Sequence, residues 1–216
     1  MIWRIKMNTY LFDFDGTLVD SMPTYSALML RILDEHGVEY GDDIIKIITP
    51  LGYNGTATYF TEKLGMDKSH DYLTSLMLKY AVDAYTNVVP AKEHVIESLR
   101  ELKARGASLN VLTASPHEAL DPCLKRLGIF DMFDNVWSCN DFATTKADPA
   151  IYEMAAERIG VDVSEVIFLD DNLNADKTAK QAGMVVYGVY DESSAEYVDE
   201  MKAATDKYIY DFRELL

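Results

Sequence analysis

Residues 10–21 read YLFDFDGTLVDS, and the change of character inside this run limits what the rest of the chain can build. From Thr9 to Phe14 the residues are apolar or β-branched with almost no alternation, the pattern of a strand covered on both faces, as in a parallel sheet. Gly16 then breaks the strand. In open α/β sheets ligands bind beyond the carboxyl ends of strands, which makes Asp13 and Asp15 candidate site residues. Carboxylates at i and i+2 of an extended chain point the same way and are expected to converge on one substrate or metal. A calcium loop is the competing reading. It would want an acidic residue at its fifth position and Glu at its twelfth, where this chain has Thr17 and Thr24.

Downstream the periodicity changes twice. From Met22 to about Tyr85 the apolar residues recur at helical spacing (Leu28, Leu30, Ile32, Leu33; then Tyr72, Leu73, Leu76, Leu78, Tyr80), and TPLGYNGT, Thr49 to Thr56, reads as a Gly- and Pro-rich turn. After Pro90 helix and strand alternate, with strand-like ASLNVLT ending at Thr113, FDNVWS, EVIFLD, MVVYGV and a last apolar stretch YIYDF. This alternation predicts an α/β doubly wound, mostly parallel sheet with a helical insertion. Ser115–Pro116 and Asp148–Pro149 read as helix starts, each a capping residue with proline at the first helical position.

The 216 residues, 49% of them hydrophobic, suffice for a real core. A net charge of −16 leaves no basic face for nucleic acid or an anionic membrane. Cys123 and Cys139 have no CxxC spacing and no neighbouring histidine, which points to buried, reduced thiols and a cytoplasmic location. No stretch approaches the roughly 18 consecutive apolar residues of a membrane span. Met7 offers a second possible start after Met1.

Three further features carry chemistry. Asp170 and Asp171 end EVIFLD; such paired acids repel one another unless a cation or lysine is present, the alternative being a helix cap. Thr113 closes a strand beside Ser115 and a helix start, a place suited to phosphoryl oxygens. Lys146 precedes the capped helix of DPAIY and by itself reads as a solvated loop lysine.

Taken in order, Asp-x-Asp, Thr, Lys and Asp-Asp resemble the haloacid dehalogenase superfamily, with DFDGTLVDS similar to its first motif, VLTAS its second, KADPAIY its third and FLDDNLNADKTAKQAGM its fourth. The resemblance implies a Rossmann-like catalytic core over residues 1–19 and 87–216 and an all-helical cap over 20–86. Asp15 and Thr17 resemble the phosphatase and phosphomutase branch. In the fourth motif Ala175 stands where relatives often carry a second acid, and Asp176 fits an alternative spacing of five.

The roles are those the resemblance implies. Asp13 is the nucleophile, Asp15 the acid and base, and Lys146 and Thr113 stabilise charge. Asp13, the Asp15 carbonyl and the Asp170/Asp171 pair would hold Mg2+, with Asp171 favoured as the direct ligand. Gly16, Thr17, Ala114 and Ser115 would line the phosphoryl site, and Tyr53 and Asn54 would select substrate. The expected activity is hydrolysis of a small phosphorylated metabolite through an aspartyl-phosphate, by a monomer or weak homo-oligomer. Three rivals stand beside it: a β-phosphoglucomutase-like mutase, a phospho-accepting signalling module and a non-catalytic binding protein. The signalling module has its acidic pair first and its acceptor Asp on a middle strand, the reverse of the order here.

Overall fold

The structure is a computed structural model that describes residues 8–216; the choice between Met1 and Met7 as start falls outside them. The chain forms two compact units, one comprising the chain through Asp20 together with Pro90–Leu216, the other Ser21–Val89.

The first unit is built on β1 (Thr9–Phe12), β2 (Ser108–Thr113), β3 (Asn135–Ser138), β4 (Val166–Asp170), β5 (Val185–Val189) and β6 (Lys207–Ile209). They form one sheet in the order β3-β2-β1-β4-β5-β6, and every pairing is parallel. Helices α5 (Val95–Ala104), α6 (His117–Arg126), α7 (Ala150–Ile159), α8 (Leu173–Ala182) and α9 (Val198–Ala204) complete the unit. Both faces of β1 are covered, as its lack of alternation requires. Leu11 joins Ile151, Ala155, Phe168, Ala179 and Val186 in one cluster. Phe12, on the opposite face, stacks on Phe212 at 6.1 Å between ring centroids. Burying side chains the size of Leu11 and Phe12 contributes about 1.5–3 kcal/mol each, so β1 anchors the sheet from its centre. Helix α9 has no counterpart in the sequence reading, being a short, half-polar segment of weak periodicity.

The second unit is helical among the described residues: α1 (Met22–Glu35), α2 (Ile44–Ile48), α3 (Gly52–Glu62) and α4 (His70–Asn87). Met29, Ile32, Leu33, Ile44, Ile48, Ala57, Phe60, Leu73 and Met77 form its core.

Two local expectations are corrected. TPLGYNGT is not an open turn. Thr49–Leu51 is a short 3-10 segment, and from Gly52 the chain is helical, which puts Tyr53 and Asn54 in the first turn of α3. Thr56, Ala57 and Phe60 are buried on one face of α3, and their packing outweighs the roughly 1 kcal/mol that Gly55 costs inside a helix. Gly55 is needed there, since a Cβ would lie 2.8 Å from the Leu51 side chain. The second correction is at Ser115, which does not cap α6: Pro116 holds the cap position with an extended ψ of 155°, and the Ser115 hydroxyl is used elsewhere. Before α7 it is likewise Pro149, and not Asp148, that holds the cap position, although Asp148 Oδ1 accepts the Ala150 N–H at 3.0 Å.

Both cysteines are buried, as expected, and neither is part of a disulfide. No helix of the described residues is long and apolar enough to cross a membrane.

Candidate active site

The strand order reverses between β1 and β4, and the crevice at such a switch point is where a doubly wound sheet binds ligands. β1 delivers Asp13 there, its N–H held by the Leu169 carbonyl at 2.8 Å, and β4 delivers Asp170 from the adjoining strand end. Asp13 is 5% exposed and Asp170 fully buried, so two carboxylates face each other with little water to screen them.

Lys146 reaches this point from the segment after β3. Its Nζ lies 2.7 Å from Asp13 Oδ1 as an ion pair and donates to Asp170 Oδ2 at 2.8 Å. The lysine is no solvated loop residue: its side chain is 14% exposed. The buried Tyr152 hydroxyl, six residues on, lies within hydrogen-bonding distance of the Lys146 and Ala175 carbonyls and ties the loop to α8.

Asp170 and Asp171 are not helix caps. That duty falls to Asn172, whose Oδ1 accepts the N–H groups of Asn174 and Ala175. Asp170 Oδ1 accepts the Asn172 N–H at 2.8 Å and Oδ2 the lysine, whereas Asp171 engages the Thr17 hydroxyl through Oδ1 at 3.1 Å. Carboxylate oxygens of Asp13, Asp170 and Asp171 all lie within 4.8 Å of one another. Burial, then the Asp170 charge, pushes the Asp13 carboxyl up to about 7 despite Lys146. Burial and the Asp170 and Asp13 charges raise Asp171 well above the usual carboxylate range. For Lys146 burial works in the opposite direction, but Asp13 and Asp170 outweigh it and keep the ammonium charged. Three crowded oxygen donors against one ammonium are a donor set that fits a hard divalent cation.

The remaining expected residues are distributed differently. Asp15 lies close enough for its charge to add to the burial and the Asp170 charge that raise the Asp13 carboxyl, although the chain leaves extended geometry after β1 and Gly16 adopts φ +70°. The Asp15 carboxylate accepts the Ser115 hydroxyl at 2.5 Å. Gly16 is required by shape, as a Cβ would come within 2.4 Å of Asp171 Oδ2, and its N–H is spent on the Val19 carbonyl at 3.0 Å. The Thr17 hydroxyl donates to Asp171 Oδ1, so this turn is shaped against Asp171. Thr113 is buried at the end of β2, its Oγ1 accepting the Ser115 N–H at 3.0 Å, while Ala114 is exposed beside it. Tyr53 stacks on Tyr25 at 5.8 Å within the helical unit, and Asn54 is exposed with its carbonyl 3.1 Å from His70 Nε2. The sequence reading gave Tyr152 no role of its own, although it closes the KADPAIY motif that Lys146 opens.

A parallel sheet of this order, with an Asp–Lys–Asp cluster buried at its switch point, defines a Rossmann-type α/β protein whose crowded carboxylates could hold a metal ion. The chain belongs to the haloacid dehalogenase-like hydrolase family, whose model matches residues 7–183. It is 31% identical over 186 residues to pyrophosphatase PpaX of Bacillus velezensis, covering 85% of this chain and 83% of the relative. It is 25% identical to a phosphorylated carbohydrates phosphatase of Thermotoga maritima, covering 85% of each. Among solved structures it matches β-phosphoglucomutase from Clostridium difficile with a TM-score of 0.74 at 18% identity, over 97% of this chain and 93% of the other.

Proposed function

We propose that the protein is a Mg2+-dependent phosphatase that hydrolyses a small phosphate monoester through an aspartyl-phosphate on Asp13. The observation that carries this reading is the Asp13 carboxylate at the tip of β1, flanked by Lys146 at 2.7 Å and by two further acids. A structural ion pair would need one acid, not three.

Asp13 attacks phosphorus in line; its oxygen–phosphorus bond forms as the ester oxygen–phosphorus bond breaks, and Asp15 supplies the proton to the leaving oxygen. Asp15 then takes a proton from water, whose oxygen attacks the same phosphorus, breaking the acyl phosphate and freeing inorganic phosphate. Ser115 holds Asp15 between these proton transfers. Lys146 offsets negative charge beside the nucleophile, and Thr113 offers its hydroxyl to a transferring oxygen. Asp13, Asp171 and the Asp15 carbonyl would hold Mg2+. Among the described residues, Asp170 already engages both its oxygens, which leaves Asp171 as the better direct ligand. The ion supplies neutralisation of the repulsion between carboxylate and phosphate.

Residues 20–86, close in extent to the helical unit Ser21–Val89, serve as the cap, with Tyr53 and Asn54 as candidate selectivity residues, and the substrate is a small phosphorylated metabolite met in the cytoplasm by a monomer or weak homo-oligomer. Phosphatase is favoured over mutase because the relatives named above are a pyrophosphatase and a carbohydrate-phosphate phosphatase. Incubation with a panel of phosphate esters, with Mg2+ and with a chelator, tests the proposal. Free phosphate released only with the metal supports it. Release that needs a sugar bisphosphate activator points to the mutase, and no turnover of any ester overturns the assignment.

A further inference from the structure

Lys92 lies outside the residues given a role above, yet its ammonium is fully engaged. Nζ donates to the Gly16 carbonyl at 2.7 Å, to the Tyr190 carbonyl at 2.5 Å and to Asp191 Oδ2 at 3.0 Å. An ammonium has three N–H donors, so none is left for solvent, and the side chain is only 19% exposed. The backbone N–H of Lys92 also holds the Leu18 carbonyl at 3.0 Å, and Val19 bridges Ala91 beside it. Asp191, 4% exposed, is fixed in turn by the Ser193 N–H at 2.9 Å and the Ser193 hydroxyl at 2.6 Å, both on its other oxygen.

The partners matter more than their number. The Gly16–Thr17 turn is the element that touches Asp171, by close approach at Gly16 and by the Thr17 hydroxyl. Gly16 is held from one side by its own N–H to Val19 and from the other by Lys92 on its carbonyl. Tyr190 and Asp191 follow β5, the strand next to β4. Lys92 therefore ties the turn after β1 to the segment after β5, with Asp171 lying against that turn.

We propose that Lys92 is a positioning residue of the cation site: by locking the Gly16 carbonyl, with Asp191 as its anchor, it fixes the turn that orients Asp171. The inference rests on the reading of Asp13, Asp170 and Asp171 as a Mg2+ site. It has a rival with the opposite sign. If Lys92 acted only as a positive charge, its removal would make the acidic neighbourhood more negative and tighten Mg2+ binding.

The test is calorimetric titration of MgCl2 into the substrate-free full-length protein, wild type against Lys92→Met and against Lys92→Met/Asp191→Asn. The double variant leaves no buried charge unpaired, so it remains a valid measure if Lys92→Met alone fails to fold. Outer-shell partners of metal ligands typically change affinity by about tenfold or more, so the Mg2+ Kd is expected to rise about tenfold in the double variant. An unchanged or lower Kd in a folded double variant overturns the positioning role while leaving the metal site intact. If the wild type takes up no Mg2+, the metal site falls, and this inference with it.

Discussion

Replacing Asp13 by Asn isolates the electrostatic cost of the site. In the metal-free protein the Asp13 carboxyl ionises only at about 7, against 3.8 for an ordinary aspartate. A folded value raised above the unfolded one means that the native state binds the extra proton between these two values. Stability therefore falls as pH rises from about 4 to about 7, and the full penalty is present above 7. The difference corresponds to about 4 kcal/mol as an upper bound, equivalent to a melting shift on the order of 10 °C for a protein of this size. Asn keeps the shape and removes the ionisation, and Lys146 retains Asp170 as its partner. In chelator, the variant is expected to melt close to wild type at about pH 4 and clearly above it at about pH 8. Mg2+ should raise the wild type at the higher pH and close the gap. Phosphatase activity in the same variant should drop by at least about 10³-fold, since the amide is not a nucleophile. Melting curves across pH, with and without the metal, decide the matter. A variant no more stable than wild type at about pH 8 would refute the claim that carboxylate crowding sets the cost of this site.

Three other substitutions probe separate links. Gly16→Ala places a methyl within 2.4 Å of Asp171 Oδ2 at a φ of +70°, and calorimetry should show Mg2+ affinity reduced by about 100-fold; near-normal affinity would mean that the turn does not hold Asp171. Lys146→Met leaves Asp13 and Asp170 buried without their ammonium, and urea denaturation above neutral pH should register a loss of about 3–5 kcal/mol, with a much smaller loss counting against a buried ion pair. Ser115→Ala removes the hydroxyl that holds Asp15; kcat should fall by about tenfold with the Mg2+ Kd unchanged, and a shift in Kd with constant kcat would reassign Ser115 to the metal side.

The physical basis of these predictions was unevenly visible in the sequence. The central strand, the alternation of helices and strands and the acids at strand ends could be read directly, because burial on both faces dictates an unbroken apolar run and a glycine marks its end. Local chemistry was less readable. Ser115 before Pro116 has the composition of a helix cap, yet its hydroxyl goes to Asp15, 100 positions away in the chain. TPLGYNGT has the composition of a turn, but Thr56, Ala57 and Phe60 gain more by packing as a helix than Gly52 and Gly55 lose.

What the sequence determined by itself was the sheet class, the helical span and the set of ionisable residues, each fixed by periodicity or by covalent neighbourhood. The order of the motifs already grouped Asp13, Lys146 and the Asp170/Asp171 pair; their distances and their burial were decided by tertiary structure. Asp13, Lys146 and Asp170 meet within 3 Å contacts although they span more than half the chain. Lys92 had no signal at all, because a lysine becomes a clamp only when folding brings the Gly16 and Tyr190 carbonyls and the Asp191 carboxylate to one point out of water.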